Sequence, residues 1–172
     1  AQSRPQKIAH PSTFEVAEDR VREALARTNA VVFARELTSF EQIRGVCDAR
    51  FAHDCAFFAD LSDYSAAGSG ELIAFRNDEE RPDWIPVPEG NRDISADTES
   101  LDQWLRTIES HRVVRTNRAH VMIAAGMMGK QVIFSPCSYF KIEALAATCP
   151  PGFDNVAAPG HEPLLASPAI SR

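Results

Sequence analysis

Few side-chain types can hold an anion and move a proton at one place, and residues 113–120 bring two of them within three positions. Val113-Val114-Arg115-Thr116 reads as a short apolar strand, and a helix rich in Ala and Met begins almost immediately. Arg118 and His120 then fall in or beside the first helical turn, where unpaired N–H groups and the helix dipole favour negative charge. A guanidinium offers paired donors to phosphate or carboxylate, and an imidazole there can exchange a proton near neutral pH. A cation is disfavoured at a helix start unless an anion is present, which points to an anion site. The competing reading leaves Arg118 solvated at the helix start and packs His120 against the sheet. If the anion site is real, Arg118→Ala is expected to abolish ligand binding while leaving the fold intact, because a helix-start arginine rarely supports a core.

Other candidates are weaker taken singly. Arg35 and Arg76 each end an apolar run and could face one crevice, although such an arginine more often only reaches out to water. His53-Asp54 is either an acid/base pair or a turn closed by the Asp side chain. Lys141, one turn into the last predicted helix, has the surface lysine as its common alternative, and His10, His111 and His161 have nothing converging on them. Met122, Met127 and Met128 read as core fillers. There is no Walker loop, Gly-x-Gly-x-x-Gly, Gly-x-Ser-x-Gly or Cys-x-x-Cys, so no nucleotide hydrolase, NAD enzyme, serine hydrolase or metal site is predicted.

The elements that must position these groups follow from periodicity. Ser12-Thr13-Phe14-Glu15 resembles a capping box, and Phe14, Ala17, Val21, Ala24, Leu25 and Thr28 recur at helical spacing. Strands are predicted at 30–35, 49–52, 71–76, 111–116 and 131–135. Helices are predicted from Thr38 or Ser39 to Gly45, from Ser95 or Asp97 past Ile108, over 118–128 and over 138–148. Residues 77–93, with three prolines and many charges, read as a long mobile loop. Apolar strands alternating with amphipathic helices predict an α/β, Rossmann-like parallel sheet with helices on both faces. Its ligands would sit beyond the carboxyl ends of the strands. We expect one domain over 1–149 and a Pro-rich tail or surface strap over 150–172.

Composition narrows the class. The 172 residues are 44% hydrophobic and 24% charged, which suits a chain with a real core and excludes disordered or collagen-like types. No apolar run approaches the roughly 18–20 residues of a membrane span. A net charge of −6 argues against nucleic acid as the main partner. The four cysteines are expected to be reduced, in a cytoplasmic protein without a secretory signal. The chain does not begin with Met, which fits a processed protein or a fragment.

The 113–146 block, Val-Val-Arg-Thr-Asn-Arg-Ala-His through Gly129-Lys130-Gln131-Val132-Ile133 to Lys141, resembles the C-terminal signature of the polysaccharide pyruvyl transferase family. Upstream, Val31 to Glu36 with Ser39, His53 to Phe57 and Leu72 to Arg76 resemble its earlier motifs in the same order, so the resemblance spans about residues 14–148. Asn117 stands where the family has Asp, Ala119 for Leu, Val121 for Gly and Gln131 for Pro. The resemblance implies one lobe of a glycosyltransferase-B-like fold, with the site between two Rossmann-like lobes. It implies transfer of pyruvyl from phosphoenolpyruvate to two sugar hydroxyls as a cyclic ketal, for a cell-surface polysaccharide or glycolipid, without a metal or other cofactor. Carried over by position, Arg118 would hold the donor's phosphate or carboxylate, His120 would be the acid/base group and Arg35 a second clamp. Asn117 and Lys141 would complete the substrate site. Partners would be phosphoenolpyruvate, a saccharide acceptor, and a second lobe or a homo-oligomer. A sugar-nucleotide glycosyltransferase of the same fold, or a degenerate lobe acting as an interaction module, are the alternative readings.

Overall fold

The structure, a computed structural model, describes residues 7–160. The elements in chain order are β1 (Lys7–Ser12), α1 (Asp19–Ala26), β2 (Ala30–Ala34), α2 (Leu37–Ile43) and β3 (Ala49–Phe51). A 3-10 turn over Cys55–Phe58 leads to β4 (Glu71–Ala74), α3 (Ile94–Asp97), α4 (Leu101–Glu109) and β5 (Val113–Thr116). Then come α5 (Ala119–Met127), β6 (Gln131–Phe134), α6 (Lys141–Ala147) and β7 (Val156–Ala157).

Among the described residues every strand pairing is parallel, as the apolar runs require, with helices flanking the sheets. The strands divide, however, into a three-stranded sheet ordered β1-β2-β3 and a four-stranded sheet ordered β4-β5-β6-β7. Each sheet has its own apolar cluster. Val16, Val32, Ala34 and Ile43 are the buried members beside the first sheet, against seventeen buried residues around the second. Helix α5 is the centre of the larger cluster. Its residues Val121 to Gly126 are all buried, so it is apolar on nearly every side rather than amphipathic.

The largest departure from the sequence reading lies at the start. Ser12 ends a strand instead of capping a helix, and α1 begins only at Asp19. Residues between them run extended because α2 satisfies their backbone. The Phe14 N–H donates to Ser39 Oγ at 2.6 Å, and the Val16 N–H donates to Gln42 Oε1 at 3.1 Å. Phe14 and Val16 reach the core from this segment. Helix α2 is capped two or three residues earlier than Thr38 or Ser39 would allow, by the buried Glu36 carboxylate accepting the Ser39 N–H at 2.8 Å.

Two further segments are corrected. The region predicted as one helix from Ser95 or Asp97 is two, because Thr98 is extended and Ser100 caps α4 through the Gln103 N–H. Beyond Pro150 the chain contributes more than a strap: β7 extends the second sheet, pairing Val132 with Val156. Phe153 lies beside the bare Cα of Gly126, where any Cβ would come within 2.6 Å of its ring. His161 and the rest of the C-terminal segment lie outside the described residues.

Candidate functional site

Parallel pairing puts all strand carboxyl ends of a sheet at one edge, and the charged candidates gather there. Arg35 follows β2, Asp54 follows β3, Arg76 follows β4, Arg118 follows β5, and Lys141 opens α6 after β6. Arg35, Arg76, Arg118, His120, Lys141 and Ser95 are among the residues lining a small cavity of about 120 Å³. At about 30 Å³ per water, it has room for a group the size of phosphate.

The carboxyl ends of β4 and β5 are stitched before any of these side chains is placed. Thr116 Oγ1 donates to the Ala74 carbonyl at 2.8 Å and accepts the Arg118 N–H at 3.0 Å. Asn117 Oδ1 accepts the Arg76 N–H at 2.8 Å. Asn117 is fully buried, and its Nδ2 is left without a protein partner. The structure therefore places Asn117 under the cavity, shaping the backbone from which Arg76 and Arg118 project.

Arg118 is not a solvated helix-start residue. Its Nε donates to Asp93 Oδ1 at 2.7 Å and its Nη2 to Asp93 Oδ2 at 2.6 Å, with a further contact to Asp78 at 3.1 Å. The Arg118 side chain is 18% exposed and Asp93 only 5%. The expectation that Arg118→Ala leaves the fold untouched is corrected here, since that change abandons a buried carboxylate. The carboxylate that orients this arginine comes from Asp93 on the 77–93 segment, not from position 117.

Arg76 is also buried. It donates through Nε and Nη2 to Asp78 at 2.6 and 3.0 Å and through Nη1 to Glu80. Lys141 pairs with the same Glu80 and stands 5.0 Å over the Tyr139 ring; it is a buried residue, not a surface lysine. Hydrogen bonding from Arg76 lowers the pKa of Asp78. Burial pushes that of Glu80 up, but Lys141 and Arg76 outweigh it and leave a net lowering.

On the other side of the cavity Arg35 Nη1 donates to Asp54 Oδ2 at 2.7 Å and its Nε to Thr13 Oγ1 at 2.8 Å. His120 Nε2 stands 3.6 Å from the same Asp54 oxygen, with the imidazole 62% exposed. Of the two readings of His53-Asp54 the turn is the one realised, and the histidine that Asp54 faces is His120, not His53. Asp54 Oδ1 closes the turn by accepting the Ala56 N–H, and its Oδ2 orients an arginine and faces that histidine. Burial raises the Asp54 pKa, but hydrogen bonding from His120, the Ala56 amide and Arg35 prevails and holds it well below the ordinary carboxylate range.

Other sequence candidates lie elsewhere. His53 sits between the Phe51 and Phe57 rings, and His111 Nδ1 is 2.8 Å from the Thr107 carbonyl. His10 has a neighbour after all, Cys55 Sγ at 3.9 Å. Lys130, of the Gly-Lys pair, ties the Ala66 and Glu109 carbonyls together beneath the second sheet. Among the described residues no group of three or more His, Cys, Asp or Glu side chains could hold a metal ion, and no helix is long and apolar enough to cross a membrane.

Sequence reading missed Asp78, Glu80 and Asp93 and left Arg76 outside the site. The signal was a scatter of charges in a Pro-rich stretch, which ordinarily denotes a solvated loop. Four permanent cations (Arg35, Arg76, Arg118 and Lys141) meet four carboxylates (Asp54, Asp78, Glu80 and Asp93) around one cavity.

Next to this cavity, and sharing Ser95 and His120 with it, lies a larger groove of about 630 Å³. Its walls include Leu61, Leu101, Trp104, Ile123 and Met127. The arrangement offers an anion cradle, a histidine at its mouth and an adjoining surface for a second molecule.

Comparison with known proteins gives a family match and structural matches. The sequence model described as polysaccharide pyruvyl transferase matches residues 1–139. A crystal structure of a functionally uncharacterised protein from Klebsiella pneumoniae is 28% identical, with a TM-score of 0.69, covering 89% of this chain and 63% of that one. The chain thus spans less than two thirds of that protein's length. No curated protein matches the chain.

Proposed function

The chain belongs to the polysaccharide pyruvyl transferase family, and we propose that it forms the donor-binding part of an enzyme transferring pyruvyl from phosphoenolpyruvate to sugar hydroxyls. The observation that carries this reading is the convergence of Arg35, Arg76, Arg118 and Lys141 on a phosphate-sized cavity with His120 at its edge. Phosphoenolpyruvate carries a phosphate and a carboxylate on the same carbon, and such a cluster suits both.

The chemistry needs fixed positive charge and one mobile proton. A proton adds to the enol methylene carbon, turning it into a methyl group and leaving an oxocarbenium-like centre. A sugar hydroxyl attacks that centre and loses its proton. A second hydroxyl of the same acceptor then displaces the phosphate, giving up its proton to the departing group, which closes the cyclic ketal and releases inorganic phosphate. Arginines placed before the reaction stabilise the charge that grows on the departing phosphate. His120, whose Nε2 faces Asp54 Oδ2 at 3.6 Å, is the group placed to deliver or receive the proton. The neighbouring groove would take the acceptor. A second lobe, as in a glycosyltransferase-B-like enzyme, or a second copy of the chain would close over the site.

The test is thermal unfolding with phosphoenolpyruvate, with sugar nucleotides in parallel. Ligand at ~100 times its dissociation constant should stabilise the protein by ~2.7 kcal/mol. The paired variant Arg118→Met/Asp93→Asn removes both charges without stranding one and should lose the shift. A shift with sugar nucleotides alone would overturn the proposal.

A further inference from the structure

Three of the four cations lining the cavity are occupied by carboxylates from a single strap of chain. Asp78 contacts Arg76 and Arg118, and Glu80 contacts Arg76 and Lys141. The partners differ in how firmly they are held. The cationic side chains of Arg76, Arg118 and Lys141 are 10, 18 and 11% exposed and rise from strand ends and a helix start. Asp78 and Glu80 are 44 and 40% exposed and come from the solvent side. The cations are held in the wall of the cavity, and the carboxylates are the more exposed partners.

The strap is rooted at both ends. Asn77 N–H donates to Asp93, the Asn91 side chain exchanges two hydrogen bonds with the Phe75 backbone, and Arg92 N–H donates to Ile73 O. Between the roots, among the described residues, the hydrogen bonds that reach beyond the strap are those of the two carboxylates and one from the Ser138 N–H to Glu80 O. Asp93 belongs to the roots. It is buried and holds Arg118 through two hydrogen bonds of its own, independent of Asp78 and Glu80.

We infer that Asp78 and Glu80 are a built-in competitor for the anion site and set its specificity, vacating it only for a ligand with two anionic groups. The inference rests on the donor reading above for the identity of that ligand, but not for the displacement. Two carboxylates sit at two positions, so a ligand bearing phosphate and carboxylate replaces both at once. A monoanion can replace only one and leaves the other side chain in its way. Buried cations never stand uncompensated, which keeps the empty site intact.

Calorimetric titration with phosphoenolpyruvate, inorganic phosphate and pyruvate tests this on wild type, Asp78→Asn, Glu80→Gln, the double variant and Glu79→Gln. Glu79 is exposed on the same strap and pairs with none of these cations, so it controls for net charge. Each amide variant should bind phosphoenolpyruvate about tenfold tighter, the scale of one charged contact freed. Glu79→Gln should change it far less, wild type should exclude pyruvate, and the double variant should admit it. In wild type, Trp84, 72% exposed on the strap, should change its fluorescence with phosphoenolpyruvate and not with pyruvate. Weaker or unchanged anion binding in the amide variants overturns the inference. If they tighten inorganic phosphate while phosphoenolpyruvate binds no better than phosphate, the competitor stands and the donor reading falls. If no anion binds to any variant, both fall.

Discussion

Asp93 and Arg118 lie 25 positions apart and meet through two parallel hydrogen bonds of 2.7 and 2.6 Å, so the arginine's plane is fixed before any ligand arrives. The geometry is bidentate and the carboxylate is buried. Breaking such a pair from one side strands a buried charge, at a cost of about 3–5 kcal/mol. Asp93→Ala should therefore lower unfolding stability in denaturant by about that much, whereas the paired Arg118→Met/Asp93→Asn variant should lose clearly less. Equal losses would mean that the pair contributes nothing beyond packing.

Asp54 gives a pH signature. Its carboxyl pKa lies well below the ordinary range in the folded protein, so it stabilises the fold fully above the unfolded value, about 3.9. That contribution is lost as pH falls from there through the depressed folded value. The stability difference between wild type and Asp54→Asn should be flat from about pH 5 to 8 and should shrink below about pH 4. Acid titration of denaturant midpoints checks this. A difference that persists undiminished at the lowest accessible pH would contradict it.

Gly68 has a positive φ of 68°, and a Cβ there would lie 2.6–2.7 Å from backbone atoms of Glu109 and His111. Neither obstacle is a side chain that can turn aside. Gly68→Ala should cost about 2–4 kcal/mol, combining a disfavoured backbone region with overpacking. Gly70, also at positive φ but with nothing within 4 Å, should cost less when changed the same way. Thermal unfolding of the two variants separates crowding from φ alone.

The four free cysteines should react in a fixed order. Cys55 is exposed, whereas Cys137 is buried and donates its S–H to the Tyr139 carbonyl. Burial pushes the Cys149 thiol up to about 11, and burial together with Asp48 also raises that of Cys47. One fast equivalent, at Cys55, is expected with a thiol reagent near pH 8, and Cys149 should stay slow until the pH approaches 11. Peptide mapping after brief alkylation identifies the site.

What the sequence made legible was the sense of the strands and the place of the strongest motif. Runs such as Ala30-Val31-Val32-Phe33-Ala34 are apolar on both faces, and only parallel layers bury both. Arg118 and His120 could be located because the strand-to-helix step is marked by residue type. The partners could not, because Asp78, Glu80 and Asp93 owe their role to tertiary position, and nothing local separates them from Glu79 or Asp83. The helix expected from Ser12 failed for a related reason. Its capping pattern was sound locally, but Ser39 and Gln42 on α2 offered the same backbone groups a better bond. The division into two sheets depends on which strand edges meet, and periodicity carries no information about that.

The two apolar clusters are unequal, four buried residues against seventeen, and this has a dynamic consequence. Local opening begins where the least apolar surface must be exposed, so the amide protons of β1, β2 and β3 should exchange with solvent through excursions that leave β4 to β7 intact. Those excursions carry Arg35 away from Arg118 and dismantle one wall of the anion cavity. An anion bridging the two walls binds only the closed form and draws the equilibrium toward it. Ligand should therefore slow exchange throughout the first sheet, including strand β1, which contributes no side chain to the pocket.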